Sequence, residues 1–292
     1  MQFVLFLIIY PILFLISILP FRLLYIFSDF VFFLVYYVFG YRKKVVRENI
    51  AMALPNLSEK ERLVIEKKFY VHMCDLFLEM IKTMTISQKE IEKRFTFSNL
   101  DVYLDLEKKG KSIALVCSHY ASYEWVLSMN KHITFKGYGI YKRVNNKYFD
   151  RLVRKIRSRF KAYLITTKET KSVIEENSKN GILSLYGFAS DQSPQVRPKT
   201  YWSTFMGIET PVYVGAELLS KRFDMNMLFL KVRKLKRGYY QADIELLAED
   251  VIHIPDFQIT ELFLKKVENL INDAPEFYLW THKRWKHKKQ NN

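Results

Sequence analysis

The first forty residues constrain this chain more than any other stretch. From Met1 to Phe21 no residue is charged, and Phe3 to Ile9 and Ile12 to Leu19 are apolar except for Ser17. A helix over that length, at about 1.5 Å per residue, approaches the roughly 30 Å hydrocarbon thickness of a bilayer. Arg22 interrupts the run, and Leu23 to Tyr41 continues it with Asp29 as the one charge. A cleaved signal peptide would need a basic start and a small-residue cleavage site, and neither is present. Two complete spans would be crowded, because Pro11 and Pro20 break the first segment and Asp29 sits in the second. Residues 1–40 therefore read as a retained membrane anchor, either a single span or a hairpin lying partly in one leaflet. Arg42, Lys43, Lys44 and Arg47 follow directly. The positive-inside rule then places the remainder, residues 41–292, in the cytoplasm, where the same cations meet anionic headgroups.

The remainder is long enough for one large domain. Of the 292 residues 49% are apolar, enough for a sizeable core, and the two cysteines, Cys74 and Cys117, provide neither a disulfide scaffold nor a metal cluster. With 46 basic against 30 acidic residues the formal charge is +16. Such an excess attracts a polyanion: phosphate-bearing lipid, nucleic acid or an acidic protein. The hydrophobic start favours the lipid surface.

From Tyr41 to Asn99 the pattern is largely helical. Pro55-Asn56-Leu57-Ser58 breaks it, and Ser58 with Glu59 and Glu61 opens a helix running to about Met84. From residue 112 strands and helices alternate. Ile113–Cys117 is a strand, Tyr123 to Met129 starts a helix, and Gly137–Tyr141 is a strand. Lys147 to Phe160 is a helix, Tyr163–Thr166 a strand, Lys168 to Asn177 a helix, and Ile182–Tyr186 a strand. Val212–Leu219 and Met227–Lys231 continue the series, Tyr239–Leu247 reads as an outer strand, and Glu261 to Ile271 as a closing helix. The alternation predicts an α/β fold with a mixed, largely parallel sheet flanked by helices.

The apolar strand Ile113–Cys117 delivers His119 and Glu124 at its end. Chemistry in open α/β sheets sits beyond the carboxyl ends of the strands. A histidine there can take a proton from a hydroxyl near neutral pH, and a nearby carboxylate can fix its tautomer; the spacing alone equally fits His119 as a helix cap and Glu124 as a surface carboxylate. Between Lys142 and Lys161 the chain is dense in cations, with only Asp150 opposing them. Beside a strand-end histidine, arginines of this density suit phosphate, which a guanidinium holds with two parallel bonds. Asp191-Gln192 follows another strand and is expected on the same rim. Near the end, Tyr278 to Trp285 interleaves aromatic and basic residues, a composition suited to stacking on bases or to a headgroup interface; the tail to Asn292 reads as a solvated end. Zinc-ligand spacing, helix-turn-helix and single-stranded RNA signatures are missing, which argues against nucleic acid. So are Gly-x-Gly-x-x-Gly, Gly-x-x-x-x-Gly-Lys and Gly-x-Ser-x-Gly, which argues against dinucleotide, nucleoside triphosphate and α/β-hydrolase sites.

Taken in order, several boxes resemble the late acyltransferases of lipid A biosynthesis, the lauroyl/myristoyl-transferring family of Gram-negative bacteria. They are Tyr41-Arg42…Asn49…Pro55, then His72, Phe77, Glu79 and Lys82, and then His119…Glu124-Trp125. Tyr141-Lys142-Arg143, Asn146 and Asp150…Arg154…Arg157…Arg159 come next, followed by Asp191-Gln192, Phe205-x-Gly207 and Thr210. The ending Tyr278-Leu279-Trp280-Thr281-His282-Lys283-Arg284 closes the set. The resemblance implies a fold similar to the glycerolipid acyltransferases. It implies transfer of a fatty acyl chain from acyl carrier protein to a hydroxyl of a phosphorylated glycolipid acceptor, without metal or other cofactor, on the cytoplasmic face of the bacterial inner membrane. His119 and Glu124 fall on the family's catalytic pair. Lys142, Arg143, Arg154, Arg157, Arg159, Asp191 and Gln192 fall on positions expected to bind substrate. Two departures stand out. Tyr120, Ala121, Ser122 and Tyr123 fill a box that usually carries glycine or asparagine, and Trp285 stands where phenylalanine is usual. Reaction class is thus better specified than acceptor. The rival readings are an acyltransferase for another glycolipid, glycerolipid or aminolipid, and a non-catalytic membrane-tethered binding protein.

Overall fold

A computed structural model describes residues 2–289; the expected solvated end lies partly outside them. Two apolar helices come first, α1 (Gln2–Ile18) and α2 (Phe21–Phe33), the second prolonged by a π-helical turn, Leu34–Val38. The continuous stretch Phe21–Val38 is long and apolar enough to cross a membrane, by length and composition. Helices α3 (Lys43–Ala53), α4 (Glu59–Lys82) and α5 (Gln88–Arg94) follow. Ser58 starts α4 with a reciprocal cap: its hydroxyl accepts from the Glu61 N–H, and the Glu61 carboxylate accepts from the Ser58 N–H.

The body alternates strands and helices in the order β1 (Phe95–Ser98), α6 (Leu100–Lys108), β2 (Ile113–Cys117), β3 (Lys136–Tyr141), α7 (Lys147–Arg157), β4 (Tyr163–Thr166), α8 (Thr170–Lys179) and β5 (Ser184–Ala189). A hairpin, β6 (Trp202–Phe205) and β7 (Ile208–Pro211), precedes α9 (Gly215–Arg222), β8 (Asn226–Lys236), β9 (Tyr239–Ala248) and α10 (Gln258–Asp273). Seven strands form one sheet in the order β1-β9-β8-β2-β5-β3-β4, and only β8 with β9 is antiparallel. The architecture is the expected mixed α/β sheet flanked by helices. Central β2 reads as an unbroken apolar run because both faces are covered: Ile113 to Val116 are all buried.

The differences from the sequence reading have physical causes. The stretch to Asn99 is helical only as far as Arg94. β1 owes its place to parallel pairing with β9, Phe95 opposite Tyr240, a contact between distant residues that four residues of local pattern do not reveal. β9 is consequently not the outer strand. Val212–Leu219 turns into α9 at Gly215, and the β6–β7 hairpin before it carried no alternation to mark it. The helix expected from Tyr123 is a 3-10 helix, Trp125–Lys131, and the one from Lys147 passes after Arg157 into a 3-10 turn that reaches Phe160.

The aromatic and basic C-terminal stretch is no interface. Tyr278, Trp280, Arg284 and Trp285 are buried. Trp280 donates its indole N–H to the Pro275 carbonyl at 2.7 Å, and its own carbonyl accepts from Asn49 at 2.8 Å. The helical start of the chain and its end are thereby tied together over one core. Replacing Trp280 with alanine should cost about 3–5 kcal/mol, the usual loss for a buried tryptophan. Urea unfolding of detergent-solubilised protein reads this as a lowered midpoint; an unchanged midpoint contradicts it.

Candidate active site

Two neighbouring parallel strands build the site. β2 and β5 pair with Cys117 opposite Ala189, and the Ser190 N–H donates to the Cys117 carbonyl at 3.2 Å. Two residues beyond each strand end come His119 and Asp191, so the register itself brings them together. The Asp191 carboxylate takes the His119 backbone N–H at 3.0 Å and faces ring Nδ1 at 2.7 Å with the same oxygen. Asp191 is fully buried, while the His119 side chain keeps 20% of its surface. With Nδ1–H given to Asp191, the other ring nitrogen, Nε2, presents a lone pair and has no hydrogen-bond partner among the described residues.

Burial opposes charge on His119. The Asp191 carboxylate, its hydrogen bond and the more distant Glu124 outweigh that and hold the imidazole above the ordinary histidine range. Burial would likewise raise Asp191, but the His119 charge and hydrogen bonds hold it below the usual carboxylate range. Both shifts favour the imidazolium–carboxylate form.

Glu124 does not touch the imidazole. Its carboxylate is gripped by the Arg157 guanidinium, with Nε donating at 2.9 Å and Nη2 to the second oxygen. This fork joins the loop after β2 to the end of α7. The carboxylate hydrogen-bonded to His119 is therefore Asp191, which the sequence places on the same rim and the resemblance puts among substrate-binding positions. Tyr123 packs its ring edge-on against His119, centroids 5.0 Å apart.

The remaining basic positions separate. Arg159 gives its guanidinium to the Met84 and Ile86 carbonyls, between α4 and α5. Lys142, Arg143 and Arg154 are exposed, Arg143 lying 3.9 Å from Asp150. Asp150 accepts from the Val144 N–H at 2.9 Å and so holds the turn after β3. Gln192 is half-buried beside Asp191.

The C-terminal stretch supports the site. The Ala121 N–H donates to the Phe277 carbonyl at 3.0 Å, and the Leu279 N–H to the His119 carbonyl at 3.1 Å. Ala121 adopts a left-handed φ of 49°, a strained position for a residue with a Cβ that these bonds hold in place. His282 accepts from the Ser193 N–H at 3.2 Å through Nε2; burial depresses its pKa to about 4, so it stays neutral. Alternating aromatic and basic residues gave no hint of this strap, although Tyr278 to Arg284 stood out as a box. Among the described residues no group of three His, Cys, Asp or Glu side chains is placed to hold a metal ion.

The arrangement can accept a proton at His119 Nε2 and stabilise the charge through Asp191. The family described as "Bacterial lipid A biosynthesis acyltransferase" matches residues 2–287. The chain is also similar to a lipid A biosynthesis lauroyltransferase of Escherichia coli (strain K12), 24% identical over 247 residues that cover 84% of this chain and 79% of that one.

Chemistry that needs the neutral imidazole rises with pH through the raised His119 pKa and levels above it. Asp191→Asn removes the counter-charge, so the acid limb of a kcat/KM profile should move to lower pH. The plateau should fall on the order of 10²-fold or more. A profile in the same place would sink the Asp191 assignment.

Proposed function

The chain belongs to the bacterial lipid A biosynthesis acyltransferase family, and from that premise we propose a specific route for its reaction. It is an O-acyltransferase that takes a fatty acyl group from acyl carrier protein to a lipid acceptor of lipid A biosynthesis. The acceptor in this reading is a phosphorylated disaccharide precursor, and the attacking hydroxyl lies on an acyl chain already attached to it. Residues 1–40 anchor the enzyme and residues 41–292 carry out the transfer, on the cytoplasmic face of the inner membrane. The observation that carries the mechanism is the His119–Asp191 pair at the ends of β2 and β5.

The acceptor hydroxyl docks at His119 Nε2. As its oxygen attacks the thioester carbonyl, Nε2 takes the proton and a C–O bond forms. Asp191 stabilises the resulting imidazolium. The tetrahedral oxyanion collapses, the C–S bond breaks, and the departing carrier thiolate regains the proton from His119. Glu124 acts as a positioning residue: it fixes Arg157 and the loop, and its charge supports the imidazolium from a distance. The exposed Lys142, Arg143 and Arg154 suit acceptor phosphates or the acidic surface of the carrier protein. Arg157 and Arg159, already engaged within the chain, suit scaffolding of that surface.

Radiolabelled transfer in detergent micelles tests this, with acyl carrier protein loaded with a series of saturated chains and a tetra-acylated phosphorylated precursor as acceptor. His119→Ala should lose about 10²–10⁴ in rate, and Glu124→Gln should lose activity by loosening Arg157. Full transfer by folded His119→Ala would remove the base. Absence of product from the unaltered chain with any donor would move the acceptor to another lipid class.

A further inference from the structure

Helix α2 is held to the body along its length and α1 at both ends, and this decides how they meet lipid. Helix α2 runs antiparallel to α4. Tyr25 donates to Glu79 at 2.8 Å, Ser28 to Asp75 at 2.8 Å, and Tyr36 to Glu66 at 2.9 Å. From Tyr25 to Tyr36 these contacts span about 17 Å of helix. At mid-length Arg237, in the β8–β9 turn, bridges Asp29 at 2.6 Å and Asp75 at 2.7 Å. Gly238 beside it has φ +74°, and a Cβ there would collide with the Tyr25 hydroxyl. The turn is pressed onto the middle of α2.

Helix α1 is held at both ends. Near its start the Gln2 carbonyl accepts from Asn146 at 3.4 Å, and Phe3 and Phe6 pack against the Tyr148 ring, centroids 5.1 and 5.7 Å away. At its end Lys82 donates to the Ser17 and Leu19 carbonyls at 2.8 and 2.7 Å.

A helix that crosses a bilayer has lipid or other spanning protein around its middle. Against the middle of α2 lies the β8–β9 turn, whose Arg237 pairs with Asp29 and whose Lys236 is exposed. If α2 crossed, these cations would be drawn into the hydrocarbon, where charge is strongly disfavoured. The outward faces are nonetheless apolar: Leu23, Ile26, Phe30 and Phe33 on α2 and Ile8 and Leu15 on α1 are all exposed. Exposed Arg22, Lys44 and Lys147 lie at the margins, complementary to anionic headgroups. We propose that neither helix crosses the membrane: α1 and α2 lie in the plane of one leaflet, and both faces of the chain's attachment are on the side of the catalytic body. The inference deepens the membrane reading above and rests on it.

The arrangement has a consequence for substrate access. Helix α7 meets α1 through Tyr148 and Phe149 in its first turn and holds Glu124 through Arg157 in its last. The lipid-facing helix and the reaction centre are thus joined by about 14 Å of helix. A lipid acceptor resting in that leaflet lies within reach of His119 without leaving the side on which the carrier protein docks.

Sidedness tests the proposal. Gln2→Cys, Arg22→Cys and Lys199→Cys, each in the full chain, are treated with a membrane-impermeant maleimide in spheroplasts and in inside-out vesicles. The unaltered chain gives the background from Cys74 and Cys117. Lys199, on the exposed loop after β5, reports the side of the body. The expected result is labelling of all three from that side, with loss of labelling from the other. Gln2→Cys labelled from the opposite side would make α1 a span and overturn the proposal, and Arg22→Cys labelled there would do the same for α2. A chain recovered wholly in the soluble fraction would instead overturn the membrane reading, and the proposal with it.

Discussion

The parallel pairing of β2 with β5 is the constraint on which the candidate site depends. It places Cys117 opposite Ala189, and the two chain directions then carry His119 and Asp191 off the sheet side by side. A slip of one residue would turn each side chain to the opposite face and separate them. Because Asp191 is buried, its carboxylate needs the His119 ring and backbone N–H as partners. The same contact that satisfies a buried charge also fixes which imidazole nitrogen of His119 carries the proton.

A pair at strand ends still requires its loop to be held. Here that role belongs to the C-terminal strap, which bonds the backbone of His119 and Ala121 and is itself fastened by Asn49 through the carbonyls of Trp280 and His282. Buried Tyr278 and Trp280, with rings 5.0 Å apart, fill the space beneath. On the other side the Glu124–Arg157 fork ties the loop to α7. A short segment with one left-handed alanine is thus braced by parts of the chain more than a hundred residues apart in sequence.

The seam between α2 and α4 follows a similar logic with a different result. Asp75 and Glu79 are buried, and Ser28, Tyr25, Tyr240 and Arg237 supply their hydrogen bonds. Burial, with the Asp75 charge next to it, raises the Glu79 pKa to about 7. A hydrophobic helix is fastened to the body because Tyr25, Ser28 and Asp29 all reach partners there. The apolar remainder is left exposed.

What the sequence determined on its own was set by local pattern. The uncharged start, the capped helix at Ser58, the apolar strand Ile113–Cys117 and the alternation after it follow from periodicity and hydrophobicity acting over neighbouring residues. His119 stood out in the same way, as a histidine just past a buried strand, while its reading as a base came from the resemblance to a family. The tertiary structure decided what depends on partners distant in the chain. That β1 exists, that β9 is interior, and that Tyr278 to Trp285 is buried rather than interfacial all turn on long-range pairing. The carboxylate partner shows the difference most clearly. Glu124 is five residues from His119 and is the partner the resemblance implies, yet Asp191, 72 residues away, takes Nδ1. Strand register, which no local pattern encodes, brings it there.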